Sequence, residues 1–114
     1  MPERVITFGQ AINEAQKQEM KRDPSVILLG ENVSSNYREA TKGILEEFGK
    51  ERVRDAPITE TAFIGAGVGA AITGLHPIVE LMLVDFGLVA MDQILNQMAK
   101  STYMSGGVVK VPMT

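Results

Sequence analysis

Glu60 is set where a carboxylate could hold or share a proton. It follows Pro57-Ile58-Thr59 and precedes Thr61-Ala62-Phe63-Ile64-Gly65-Ala66-Gly67-Val68-Gly69-Ala70. The acid therefore opens a helix of mostly small residues, where the free N–H groups of the first turn and the helix dipole favour negative charge. Taken alone, a helix-start charge with Thr59 as its cap is the commoner meaning of this pattern. The glycines argue for more. Each weakens a helix by about 1 kcal/mol relative to alanine, and small residues let another backbone come close. Together these features read as a buried acid at a contact between two packed units.

Other residues could share in such a site. Glu31 closes the apolar run Val26-Ile27-Leu28-Leu29-Gly30, and Asp92 lies in a helical stretch with apolar neighbours. A solvated charge is the usual meaning of either. Glu80 interrupts the apolar run Pro77–Val84, which is costly unless it is paired. Phe86 follows that run and opens a helix, the place where ligands meet a parallel sheet; a core aromatic fits it equally well. Glu46, Glu47, Lys50, Glu51 and Arg52 read as a solvated face, and His76 as a turn residue facing water.

The elements that must position these side chains are legible from the pattern. Thr7 and Gln10 form a capping box, and the helix that follows carries Ala11, Ile12, Ala15 and Met20 on one face until Asp23-Pro24 stops it. Val26–Leu29 is a continuous apolar run ending at Gly30, the signature of a strand buried on both faces. A polar loop around Ser34-Ser35-Asn36 leads to a helix expected over about Glu39–Phe48, with Gly49 as its C-terminal cap. Arg52-Val53-Arg54 is a short strand or extended piece that leads to Glu60. The small-residue helix ends near Gly74, and Pro77–Val84 is a second fully buried strand. A longer helix is expected from about Phe86 to Met104, stopped by Gly106-Gly107, and Val108–Pro112 begins a last strand. Strands alternating with helices argue for a parallel sheet covered on both faces.

Composition narrows the function classes. The chain has 114 residues, enough for one domain with a real core, and a net charge of −3, so nucleic-acid binding has no electrostatic support. There are no cysteines and one histidine, His76, which leaves no disulfide framework, thiolate chemistry or histidine-rich metal site. No apolar run approaches the ~20 residues that span a bilayer, and no signal-peptide core opens the chain. No membrane role is expected, and the cytoplasm is the expected compartment. Seven methionines suit either a core or an adaptable subunit contact.

Several blocks carry a family resemblance. Glu60, Gly65 and Gly69 at their spacing resemble the motif of the pyrimidine-binding domain of thiamine-diphosphate enzymes. Leu28-Leu29-Gly30-Glu31, Arg54–Glu60, Val68-Gly69-Ala70-Ala71, Asp92–Gln97 and Tyr103-Met104-Ser105-Gly106-Gly107 are similar to the beta subunit of the decarboxylating component of 2-oxo acid dehydrogenase complexes, pyruvate and acetoin dehydrogenases above all. The resemblance runs from about Val5 to Pro112. It implies a three-layer α/β domain with a parallel sheet, and one partial pyrimidine-binding domain over residues 1–114. The family's beta subunit continues beyond Pro112, so the domain is expected to be incomplete at its C-terminal side. The loop after Glu31 looks shorter than usual for the family, and Ala62 stands where glycine is common.

The resemblance also assigns roles. The cofactor is thiamine diphosphate, whose own aminopyrimidine removes the reactive proton once it is in the imino form. Glu60 matches the glutamate that favours that form through the ring nitrogen and is the implied catalytic residue. Phe86 matches the phenylalanine that stacks on the aminopyrimidine, and Ile58 and Met82 match positions near the cofactor. Glu31, with Glu60 and Asp92, matches acids lining the channel between paired active sites. The implied partners are an alpha subunit, which supplies the magnesium and diphosphate site, and a second beta subunit. This chain has no Gly-Asp-Gly segment of the kind that binds magnesium and no metal ligands of its own. The rival expectation is a truncated, non-catalytic module that self-associates through the Gly65–Gly69 helix and an open sheet edge. Either way a homo-oligomer is expected of the chain by itself.

Overall fold

The computed structural model describes residues 4–114. Helix α1 spans Phe8–Arg22, strand β1 Val26–Glu31, helix α2 Ile44–Phe48, strand β2 Val53–Ala56, helix α3 Glu60–Ile72 and strand β3 His76–Glu80. The three strands form one parallel sheet in the order β2-β1-β3. Because side chains alternate across a strand, β1 feeds two cores. Val26 and Leu28 join Val53, Met20, Val33 and Ile44 under α1 and α2. Leu29 packs on the opposite face with Val79, Phe63 and Ile64 of α3, and Ala90. The result is the expected three-layer α/β arrangement.

Helix α1 follows its sequence pattern, with the Thr7/Gln10 capping box formed in both directions. Elsewhere the chain departs from pattern. The helix expected over Glu39–Phe48 is divided into a 3₁₀ turn at Glu39–Thr41 and the short α2. Gly43 separates them at φ +73°, a left-handed conformation that ends a helix, and its N–H is held by Asn36 Oδ1 at 2.8 Å. Strand β3 stops at Glu80 instead of Val84, because Met82 turns to φ +68° and cannot continue a ladder. Leu83 and Val84 are consequently exposed.

The long helix expected over Phe86–Met104 is a relay of a 3₁₀ turn, Val84–Leu88, a π-helix, Gln93–Met98, and helix α4, Ser101–Met104. Asp92 accepts from Gln93 Nε2 at 3.1 Å and Asn96 Nδ2 at 2.7 Å, and Lys100 donates to Asn96 Oδ1 at 2.8 Å. That polar ladder runs through the widened turn. Val108–Pro112 is not a strand. Pairing with β3 begins only at Thr114, whose N–H donates to Pro77 O at 3.1 Å and whose carbonyl accepts from Val79 N–H at 2.8 Å.

Two polar side chains have partners that their sequence context does not suggest. His76 is the first residue of β3 and not a turn residue; its Nδ1 lies 2.9 Å from Asp23 Oδ2 and 3.0 Å from Ser25 Oγ. Arg52 does not belong to a solvated face. Its guanidinium stands 5.3 Å over the Phe48 ring and donates to the carbonyls of Met20 at 2.8 Å, Asp23 at 2.9 Å and Val26 at 2.7 Å. These oxygens lie where α1 ends and β1 begins, so one fork closes the corner between them. No helix among the described residues is long and apolar enough to cross a membrane.

Candidate functional site

All the implied site residues lie beyond, or at, the carboxyl ends of the three parallel strands. Glu31 is the last residue of β1, Ile58 and Glu60 follow β2, and Met82 and Phe86 follow β3. A parallel sheet leaves its crevice at this end, where consecutive strands leave in opposite directions. Here β1 leads to β2 on one side, and β2 crosses over to β3 on the other.

Glu60 is the first residue of α3 and is only 7% exposed. Its burial agrees with the sequence argument; its expected contacts do not. Among the described residues its carboxyl finds no hydrogen-bond partner, the first-turn N–H groups included. Thr59 stands at the cap position, but its hydroxyl donates to Pro57 O at 3.0 Å and does not cap the helix. Its oxygens are not among the fully buried side-chain atoms left without a hydrogen bond, so the residue is enclosed while its carboxyl keeps an opening toward the carboxyl edge of the sheet.

Thr61 Oγ1 donates to Val89 O at 2.8 Å, tying the first turn of α3 to the segment that carries Phe86. Phe86 is half-buried in its 3₁₀ turn, and Ile58 is 73% exposed, so Ile58 is an open apolar surface and not the core residue its type suggests. Among the described residues, Met82 and Asn32 are the non-glycine residues with positive φ, +68° and +54°, and both stand just past strand ends. Left-handed backbone of this kind clusters at binding sites. Glu31 is half-buried and has Asn32 Nδ2 at 3.4 Å. Asp92 is exposed, with its oxygens engaged within its own helix.

The glycines of α3 separate into different roles. A Cβ on Gly67 would stand 2.7 Å from Val79 Cγ2 and 3.2 Å from Met113, so this glycine admits β3. Gly65 faces Gln93, 3.0 Å from a would-be Cβ, and belongs to an internal contact, not to an outer face. Gly69 has open space around it. With Ala62, Ala66 and Thr73 it forms an exposed small-residue face.

A groove of about 650 Å³ lies at the other end of the sheet, lined by Ile12, Gln16, His76, Ile78 and Met113 among others. It contains none of the implied site residues. Among the described residues no group of histidine, cysteine or acidic side chains could hold a metal ion. Arg38 was missed by the sequence reading: its Nη1 donates to Glu80 Oε1 at 2.6 Å, which supplies the partner that Glu80 needs. Nothing in the spacing of residues 38 and 80 signals that pair.

A parallel three-stranded sheet with helices on both faces defines an α/β domain, and the sequence comparison gives its family. Residues 4–114 match the transketolase pyrimidine-binding domain, and the chain belongs to that family. It is 50% identical over 110 residues to the pyruvate dehydrogenase E1 component subunit beta-1, mitochondrial, of Arabidopsis thaliana. It is equally similar, 50% over 110 residues, to the pyruvate dehydrogenase E1 component subunit beta of Rickettsia bellii. The acetoin:2,6-dichlorophenolindophenol oxidoreductase subunit beta of Bacillus subtilis is 46% identical over 125 residues. These matches cover 94%, 94% and 97% of this chain but 30%, 34% and 36% of the relatives. The chain thus spans about a third of the length of the curated relatives it matches.

Proposed function

We propose that this chain is the aminopyrimidine-binding part of a thiamine-diphosphate-dependent pyruvate or acetoin dehydrogenase beta subunit. The observation that carries the proposal is Glu60: a largely buried acid that opens α3 at the carboxyl edge of a parallel sheet, the edge where Phe86 also lies. An aminopyrimidine needs one carboxyl opposite its amino group and apolar walls on its faces. Glu60 supplies the first, and Phe86, Ile58 and Met82 the second, so the residues present fit the group. When bound, thiamine diphosphate supplies the carbon nucleophile of the decarboxylation or acetoin cleavage. Glu60 holds a proton at the ring nitrogen, Phe86 and Met82 orient the ring, and Ile58 excludes water from it. Glu31 supplies an acid toward a neighbouring subunit.

In this reading an alpha subunit binds magnesium and the diphosphate, a second beta subunit completes the pair, and the product acyl or two-carbon unit passes to a lipoyl group. The chain by itself is then inactive, since it holds one half of a shared site. Assay of the purified chain with pyruvate, branched-chain 2-oxo acids or acetoin, with thiamine diphosphate and magnesium, is expected to give no turnover. In the matching segment of a full-length beta subunit paired with its alpha partner, Glu60→Gln keeps the shape but cannot share the proton. Turnover is expected to fall by about 10²–10⁴-fold with assembly intact. Near-unchanged turnover would reduce Glu60 to a helix-start charge.

A second reading, a self-associating module without catalysis, is favoured by one observation. The exposed face Ala62, Ala66, Gly69 and Thr73 suits close contact with another helix. The two readings part at the cofactor: a chain that assembles with itself and never with an alpha subunit supports the module.

A further inference from the structure

Gly30 has two lateral neighbours in the sheet, Asp55 on β2 and Glu80 on β3. The three residues form one rung, so the two acids project to the same face. That face is the α1/α2 side, because Leu28, Val53 and Ile78, each two residues earlier on its strand, pack in the α1/α2 cluster. The loop over residues 32–43 springs from β1 just past this rung and is fastened to both acids. Ser34 N–H donates to Asp55 Oδ1 at 2.9 Å, and its hydroxyl donates to Asp55 Oδ2. Arg38 Nη1 donates to Glu80 Oε1 at 2.6 Å.

Between the anchors the rung has no side chain. A Cβ at Gly30 would lie 3.1 Å from Val33 Cγ1 and 2.4 Å from Glu80 O, so buried Val33 occupies the space that glycine leaves. The far end of the loop is held separately, by Asn13 Nδ2 donating to Ala40 O and Lys42 O, each at 3.0 Å. Arg38 and Glu80 are about one-fifth exposed, at 21% and 19%. Glu80 Oε2 is buried without a hydrogen bond among the described residues, so Arg38 is the cation that neutralises this carboxylate.

We infer that the Asp55–Gly30–Glu80 rung is a two-point clamp for the 32–43 loop, and that Arg38 and Glu80 are positioning residues for the site. The clamp fixes the path of the chain as it leaves β1, and so fixes Glu31 and the left-handed Asn32 at the carboxyl edge of the sheet. The naming of Glu31 as a site residue rests on the function proposed above. The clamp itself does not, because its contacts lie within the chain.

Amide hydrogen exchange on the chain alone tests it, since local opening of a loop is seen apart from global unfolding. Arg38→Glu sets two carboxylates against each other. Protection at residues 32–38 is expected to fall about tenfold or more, while β1 and α3 keep theirs. Arg38→Met loosens the same residues without repulsion and serves if the charge reversal fails to fold. The swap Arg38→Glu with Glu80→Arg restores the ion pair and should return protection to within about threefold of the unmodified chain. Asp55→Asn loosens residues 34–36 and leaves Arg38 in place. Unchanged protection in Arg38→Glu and Arg38→Met overturns the clamp. So does a loss spread evenly over the sheet that the swap does not repair.

Discussion

Gly67 and Gly69 are two residues apart in one helix, and their replacement by alanine should have opposite outcomes. Either substitution gains about 1 kcal/mol of helix propensity. At Gly69 nothing lies within 4 Å of the new Cβ, so the gain stands and the chain becomes more stable by about that amount. At Gly67 the new methyl would meet Val79 Cγ2 at 2.7 Å, with Met113 Sδ and Cε at 3.2 Å. Val79 is a branched side chain on β3, which is paired with β1, so it yields only if α3 moves off the sheet. Overpacking of this kind costs about 1–3 kcal/mol. The propensity gains cancel between the two variants, so their difference reports the overpacking alone. It should be about 1–3 kcal/mol, or roughly 5- to 150-fold in the unfolding constant, at tenfold per 1.4 kcal/mol. Urea unfolding followed by circular dichroism at fixed chain concentration measures it, with equal slopes required for the comparison. A Gly67→Ala variant as stable as Gly69→Ala would refute the close approach of α3 to β3.

Three further outcomes follow from particular contacts. Ser25 holds the Asp23 carboxyl down to about 2 through its hydroxyl and its N–H, with His76 adding to the effect; the carboxylate form is the one favoured by folding, so the stabilisation is present above about pH 4 and lost as pH falls toward 2. Asp23→Asn should flatten that acid limb in a pH series of unfolding midpoints. Arg52→Ala removes the guanidinium donor from the carbonyls of Met20, Asp23 and Val26, with Asp23 O keeping the Val26 N–H, and should cost about 2–3 kcal/mol, while Arg52→Lys, lacking the fork, should recover only part of it in the same unfolding assay. If the exposed face Ala62, Ala66, Gly69 and Thr73 is a contact between copies, the chain should be a homo-oligomer and Gly69→Leu should shift it toward monomer; a sharp monomer of the unmodified chain at tens of micromolar in sedimentation would refute this.

Sequence alone determined the layers and the place of the acid. The apolar run Val26–Leu29 demanded a strand covered on both faces, the Thr7/Gln10 box set the start of α1, and the resemblance of the Glu60–Gly69 block implied the family that the comparison gave. These are local or periodic signals, each written within a dozen residues. The corrections came from the backbone conformation of single residues and from contacts between distant positions. Met82 ends β3 four residues early through its backbone, which hydrophobicity does not encode. Gly43 breaks a helix whose apolar spacing runs on. Val108–Pro112 has strand composition and no strand, because a ladder exists only where a neighbour lies alongside, and that begins at Thr114. Arg52 looked solvated because its partners are backbone carbonyls, which carry no sequence signature. Tertiary structure also decided which glycine is which: Gly67 meets β3, Gly65 meets Gln93, and Gly69 meets open space, although all three look alike in the sequence. The Arg38–Glu80 pair is 42 residues apart in the chain, and only the fold, by bringing the loop back over the β1–β3 rung, makes them neighbours.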